Sequence, residues 1–252
     1  MIRVILFGSG NVAFQLAKAF MQAKNIELIQ RYRRDRINDD LFDSSIPKTK
    51  YLNELKKADV YIIAISDDHI ANFSEQLKFK EGLVVHTSGS VSMNQLKCTA
   101  HKGVFYPLQT FSKDKMMDFT SIPFCLETEF SKDMTLLKTL ANTISNHVYE
   151  INSSQRVKLH IAAVFANNFS NHMFKTAKDI CDNNHISFDL LGPLIFNTAN
   201  NLKFLDPKET QTGPAKRNDQ KIIQKHLHQL KGDQKELYAL ISKSIINSYQ
   251  KD

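Results

Sequence analysis

The chain has 252 residues, 42% of them hydrophobic and 23% charged, a balance that excludes disordered and low-complexity classes. Its formal net charge of +7 suits anionic ligands but is too diffuse to indicate nucleic acid. Cys98, Cys125 and Cys181 form no C-x-x-C pair and no stretch reaches the ~20 apolar residues that span a bilayer, which argues against a disulfide framework, a zinc cluster and a membrane protein.

Ile2–Phe7 reads as a buried strand, broken by Arg3 and ended by Gly8, rather than as a secretory signal; with the cysteine pattern it makes a reducing cytoplasm the simplest compartment. Asn11–Met21 is a well-buried helix through Val12, Phe14, Leu16, Ala17 and Phe20. Ile26–Ile29 and the continuous apolar run Val60–Ile65 are further strands. Asp67 and Asp68 then cap a helix through Ile70, Phe73 and Leu77. Leu83–Val85 is a strand ended by His86-Thr87-Ser88-Gly89-Ser90, and Val104–Tyr106 is a strand ended by Pro107. Ile122–Leu126, a helix over Met134–Ile144 and Val148–Ile151 add one more β-α-β unit. This alternation predicts a doubly wound, mainly parallel α/β sheet with helices on both faces. After Asn152 no strand is expected. Ser153 to about Asn183 is one long helical pattern, and more helices follow, punctuated by Pro193, Pro207 and Pro214. The expected division is a sheet domain over 1–152 and an all-helical domain over 153–252.

Gly8-Ser9-Gly10-Asn11-Val12-Ala13 is G-x-G-x-x-A between the first strand and the first helix. The first glycine makes a tight turn, the second lets the backbone approach a pyrophosphate, and the small Ala13 lets helix and strand pack closely. The helix amides then face the anion. At the end of the second strand an NAD binder places an acid for the ribose 2′-hydroxyl. Here the segment is Gln30-Arg31-Tyr32-Arg33-Arg34, and Asp35 comes only after the arginines. Guanidinium groups suit a 2′-phosphate, so NADP is expected, with Arg33 and Arg34 on the phosphate and Tyr32 against adenine. A nucleic-acid role for the run Arg31, Arg33, Arg34 and Arg36 is not expected, because it should sit beside the phosphate loop.

These residues resemble a known group. Gly8–Ala13, Ser66-Asp67-Asp68, His86–Ser90, Tyr106–Phe111, Lys158–His172 and Thr212–Asp219 together resemble the bacterial Rossmann-type NADP oxidoreductases of the deazaflavin-coenzyme-dependent kind, which end in a helical domain of uncharacterised function. The wider superfamily includes pyrroline-5-carboxylate reductase, ketopantoate reductase and 6-phosphogluconate dehydrogenase. The resemblance implies a Rossmann fold, an NADP site that includes Ser66 and Asp67, and dimers formed through the helical half. It supplies no substrate. Tyr106 is a departure: His is common before this proline in the group, so Tyr106 either replaces it in the chemistry or the step differs.

Strand-end positions bring Ser88 and Gly89 to the border of the nicotinamide, with a Ser-capped helix start at Ser88 or Ser90 as the plainer reading, and Gln109 and Thr110 toward substrate. On the long helix, at about 100° per residue from His160, Asn167 falls near −20°, Asn171 near +20° and Asn168 near +80°. Apolar residues such as Ile161, Phe165, Phe169 and Met173 fill most of the remaining circumference, so the helix is expected to be largely buried, with its His and amide stripe facing a polar cleft between the domains or a structural hydrogen-bond network. Lys158 lies off that stripe and is not assigned the role a lysine has in related dehydrogenases. Arg217 is a candidate for a substrate carboxylate, or else a surface partner of Asp219. The leading expectation is an NADPH-dependent reductase of a small carbonyl or imine compound, with His160 as proton donor and Asn167 and Asn171 orienting the reacting group. Asn168 joins Gln109 and Arg217 on the substrate. The alternative is a non-catalytic NADPH-binding sensor or scaffold.

Overall fold

The computed structural model describes residues 1–33 and 46–249. They fall into two compact units, divided between Phe165 and Ala166.

The first unit is built on one sheet. Its elements are β1 (Ile2–Phe7), α1 (Asn11–Gln22), β2 (Ile26–Tyr32), β3 (Lys48–Thr49), β4 (Val60–Ile63), α2 (Ile70–Ser74), β5 (Leu83–His86), β6 (His101–Pro107), β7 (Phe124–Thr128), α3 (Ser131–Asn142), β8 (Val148–Glu150) and α4 (Ser153–Ala163). The strand order is β3-β2-β1-β4-β5-β6-β7-β8. All described pairings are parallel except β6 with β7, where Phe105 faces Leu126 in antiparallel register. The order reverses at β1, and the crevice outside the carboxyl ends of β1 and β4 is where such sheets bind ligands. Central strands read as unbroken apolar runs because both of their faces are covered. Val4, Leu6, Ile62 and Val85 pack with α1 and α3 on one face, and Ile5, Phe7, Ile63 and Val84 pack with α2 on the other.

Two expectations need correction. The helix after β4 is short: a 3-10 turn over Asp67–His69 leads into α2, which ends at Ser74, and neither aspartate caps it. The Asp67 carboxylate instead accepts the Ser90 hydroxyl at 2.9 Å, tying the end of β4 to the loop after β5. The long helix is likewise not regular. Between α4 and α5 (Ser170–Asn183) lies a π segment over Val164–Phe169. A π turn holds an extra residue, so a wheel drawn at constant pitch from His160 loses phase from Val164 onward.

The second unit is helical, with the rest of this helix followed by α6 (Gly192–Asn201), α7 (Pro207–Thr210), α8 (Gln220–Gln229) and α9 (Gly232–Tyr249). Asp219 caps α8 by accepting from the Ile222 amide at 3.2 Å. No described helix is long and apolar enough to cross a membrane. The burial expected of the long helix is not found: Phe165, Phe169 and Phe174 are exposed, as are Leu190, Leu194, Phe196 and Phe204 farther on. An apolar circumference shows that a helix needs covering but not what covers it.

Candidate active site

Gly8 turns the chain out of β1 at φ +124°, a region that L side chains rarely adopt, and a Cβ there would lie 2.1 Å from the Ala64 carbonyl oxygen. Gly10 has an ordinary φ of −74° and open space where a Cβ would stand. It is the N-cap of α1, with no side-chain cap and no acid in the first turn, which leaves the first amides and the positive end of the helix for an anion. Ala13 is fully buried against the sheet. Asn11 donates to the Phe111 carbonyl at 2.8 Å, and the buried Gln15 amide donates to the Ser112 and Lys115 carbonyls. These bonds fold the segment after β6 over α1.

The result is a cleft of about 480 Å³ lined by the whole run Gly8–Val12, by Arg33 and Ser66, by Thr87, and by Gln109 and Phe111. Sequence reasoning placed Gly8, Ser9, Gly10, Asn11, Val12, Arg33 and Ser66 here, and they come together. Arg34, Asp35 and Arg36 lie outside the described residues. Arg31 is fully buried and does not line the cleft. Tyr32 lines it but packs edge-on to Phe7, with ring centroids 5.7 Å apart, and lies 5.5 Å from Phe73, so only a small part of its ring is open. Two other assigned residues are occupied elsewhere. Asp67 holds Ser90. Ser88 is buried, and its hydroxyl accepts from the Ser90 and Val91 amides at 3.1 and 3.0 Å; it holds a turn, not the expected helix start, since the next helical turn begins at Met93 with Ser92 as its cap. Thr87 takes the lining position instead. Gln109, expected on the substrate, lines the cleft itself.

Beneath that Ser-rich loop lies a buried polar network that the sequence did not reveal. Arg156, 0% exposed, donates to the Glu127 carboxylate, to the Val91 carbonyl at 2.6 Å and to the Ser153 hydroxyl at 3.1 Å. Ser153 donates to Glu127 at 2.7 Å and accepts from the Met93 amide at 3.0 Å. Helix α4 is thus stapled to β7 and to the loop after β5. His86, also 0% exposed, accepts from the Ser88 amide through Nδ1 at 3.2 Å. Burial, helped by the nearby Arg156 charge, pushes its pKa down to about 3. A histidine neutral in the fold and protonated when unfolded stabilises the fold above its unfolded pKa near 6.5, and that contribution is lost as pH falls toward 3. Unfolding free energy is therefore expected to drop by about 1.4 kcal/mol per pH unit across this window from His86 alone. Urea melts between pH 7 and 4.5 check this, and His86→Asn should flatten the slope; equal slopes would remove His86 as the cause.

The same loop brings Gly89 against two aromatic rings. Tyr106 Oη lies 3.1 Å from His160 Nδ1. A Cβ on Gly89 would stand 2.6 Å from that Nδ1 and 2.8 Å from Tyr106 Cζ. His160, picked from the helix pattern, is thus paired with a residue singled out only as a departure from its relatives. Lys158 is exposed. Asn167, Asn168, Asn171 and Arg217 belong to the second unit and are exposed there. Asp219 caps α8, and no ion pair joins it to Arg217 among the described residues.

Comparison with known proteins places this arrangement. Residues 122–245 match a domain of unknown function, DUF2520. A crystal structure from Bacteroides fragilis, of a protein provisionally named an NADP oxidoreductase, is 39% identical, with 98% of each chain covered and a TM-score of 0.88. A Thermotoga maritima protein is 21% identical over 98% of each chain, with a TM-score of 0.72. Pyrroline carboxylate reductase of Plasmodium falciparum, solved with NADP bound, shares the fold at 14% identity and a TM-score of 0.64, with 97% of this chain and 98% of that chain covered. No curated protein matches the chain.

Proposed function

We propose that the chain, which belongs to the Rossmann-type oxidoreductase family of the Bacteroides fragilis protein and matches DUF2520 over residues 122–245, is an NADP(H)-dependent oxidoreductase acting on a small carbonyl or imine compound. The observation that carries this reading is the cleft itself. It joins a glycine turn, an uncapped helix start and Arg33, and these are the groups a pyrophosphate and a 2′-phosphate require. Gly8–Val12 would hold the pyrophosphate, Arg33 the 2′-phosphate, and Ser66, Thr87 and Gln109 the rest of the cleft. When bound, the nicotinamide supplies or accepts the hydride. His160 serves the heteroatom that gains the proton, at the end of the first unit where Gly89 and Tyr106 enclose it.

Paired titrations with NADPH and NADH test the cofactor site. Arg33→Ala should weaken NADPH by about tenfold, the worth of one charge-assisted bond, and leave NADH almost unchanged. Equal losses would show that Arg33 does not read the 2′-phosphate. Consumption of NADPH with a panel of oxo acids and cyclic imines separates an enzyme from a sensor.

The helical unit also suits a homodimer. Its Leu190, Leu194, Phe196, Phe204 and Leu240 are all mostly exposed, apolar surface that a second copy would cover. Light scattering at micromolar concentration should give twice the chain mass, and a monomer would refute it. Cys98, Cys125 and Cys181 are free and buried, which fits a reducing cytoplasm.

A further inference from the structure

We propose that Tyr106 is a positioning residue that fixes the tautomer of His160, so that the nitrogen left for substrate, Nε2, carries hydrogen and requires a hydrogen-bond acceptor opposite it. The geometry rests on three observations. Tyr106 Oη and His160 Nδ1 are 3.1 Å apart, and the rings meet edge to face, with centroids 6.1 Å apart and planes at 71°. Tyr106 is only 8% exposed, packed among Val104, Cys125 and the flank of Leu159. Gly89 lacks a Cβ where one would strike both rings, and its φ is not positive, so close approach rather than backbone conformation calls for glycine there.

The direction of the bond follows from counting donors. A phenol has one hydrogen and accepts through its lone pairs. Among the described residues Tyr106 Oη has no partner other than Nδ1. If Nδ1 carried the hydrogen and donated to Oη, the phenol O–H would be left unpaired in a buried setting, a loss that buried donors seldom bear. The O–H therefore donates to Nδ1. Burial, with Cys125 adding to it and Arg156 opposing, pushes the Tyr106 pKa up to about 12, so the phenol keeps its hydrogen at neutral pH. Neutral imidazole with Nδ1 as acceptor must carry its hydrogen on Nε2. That nitrogen makes no hydrogen bond among the described residues, and the ring is half-buried rather than sealed.

The consequence deepens the proposed function and rests on it. His160 meets a carbonyl oxygen or an imine nitrogen, both acceptors, and steadies the negative charge that gathers there as hydride reaches the adjacent carbon. A substrate offering only a donor without a lone pair at that point, such as an ammonium group, would face a donor and be rejected.

The test uses the full chain labelled with ¹⁵N-histidine. The His160 signal is assigned by its loss in His160→Gln. The parent should show a pyridine-like Nδ1 and a pyrrole-like, protonated Nε2. Tyr106→Phe, which keeps the ring and removes the hydroxyl, should shift that signature toward an averaged mixture of tautomers. Gly89→Ala, which keeps both side chains and drives a methyl between them, should disturb it as well. A parent spectrum with protonated Nδ1, or a signature unchanged in Tyr106→Phe, overturns the proposal; should that variant fail to fold, the parent spectrum alone decides it. NADPH affinity is measured on the same samples and should stay unchanged in Tyr106→Phe. A parent that binds no NADPH defeats the cofactor reading and leaves the tautomer result standing, so the two failures are distinct.

Discussion

Arg156→Ala should lower the stability of the protein by about 3–5 kcal/mol, read as a fall in the urea midpoint. The cost is not the lost attraction alone. Glu127 would keep its charge in a largely enclosed place without its partner, and the Val91 carbonyl would lose its donor. Water cannot easily replace a guanidinium that is fully enclosed. Removing both charges together, as in Arg156→Met with Glu127→Leu, should restore part of the loss, because no uncompensated ion then remains. The loop from Ser88 to Met93 is held through this network, so the single variant should also loosen Gly89 against His160. A loss below about 1 kcal/mol would mean that the pair behaves as an exposed one.

Gly8→Ala should be nearly as damaging, by about 3 kcal/mol or more, and should abolish NADPH binding even in the fraction that folds. Two costs combine: a side chain at φ +124°, and a methyl placed 2.1 Å from a backbone oxygen of the neighbouring strand end. Backbone atoms cannot move aside as a flexible side chain does. Gly10→Ala is the control. Its Cβ meets nothing and its φ is ordinary, so the melting temperature should hold while NADPH affinity falls as the cleft narrows. Were both variants equally unstable, the two glycines would not have the separate roles assigned to them.

The sheet and its nucleotide end were legible because their signals are local. Ile2–Phe7, Val60–Ile63 and the glycine turn state their own conformations through apolar runs and a φ requirement. Pairings across the chain were not legible. Tyr106 and His160 are 54 positions apart and Arg156 and Glu127 are 29 apart. No periodicity announces such partners. The departure at Tyr106 was visible, but only the fold shows what it touches. The antiparallel turn into β7 was equally hidden, since a short buried strand reads alike in either direction. Asn167 and Asn168 fall inside the π segment, where the constant pitch used to align them with His160 does not hold.

The start of α4 at Ser153, within the sheet unit, bears on how such proteins recombine. Strand β8 ends at Glu150, and a splice there would look natural to anyone exchanging the helical half of one relative for that of another. It would carry away Arg156 and His160, which belong to the sheet unit through Glu127, Val91 and Tyr106. The compact unit closes only at Phe165. A chimera joined at β8 would therefore graft a foreign clasp and a foreign imidazole onto this nucleotide fold, whereas a junction beyond Phe165 would inherit both intact.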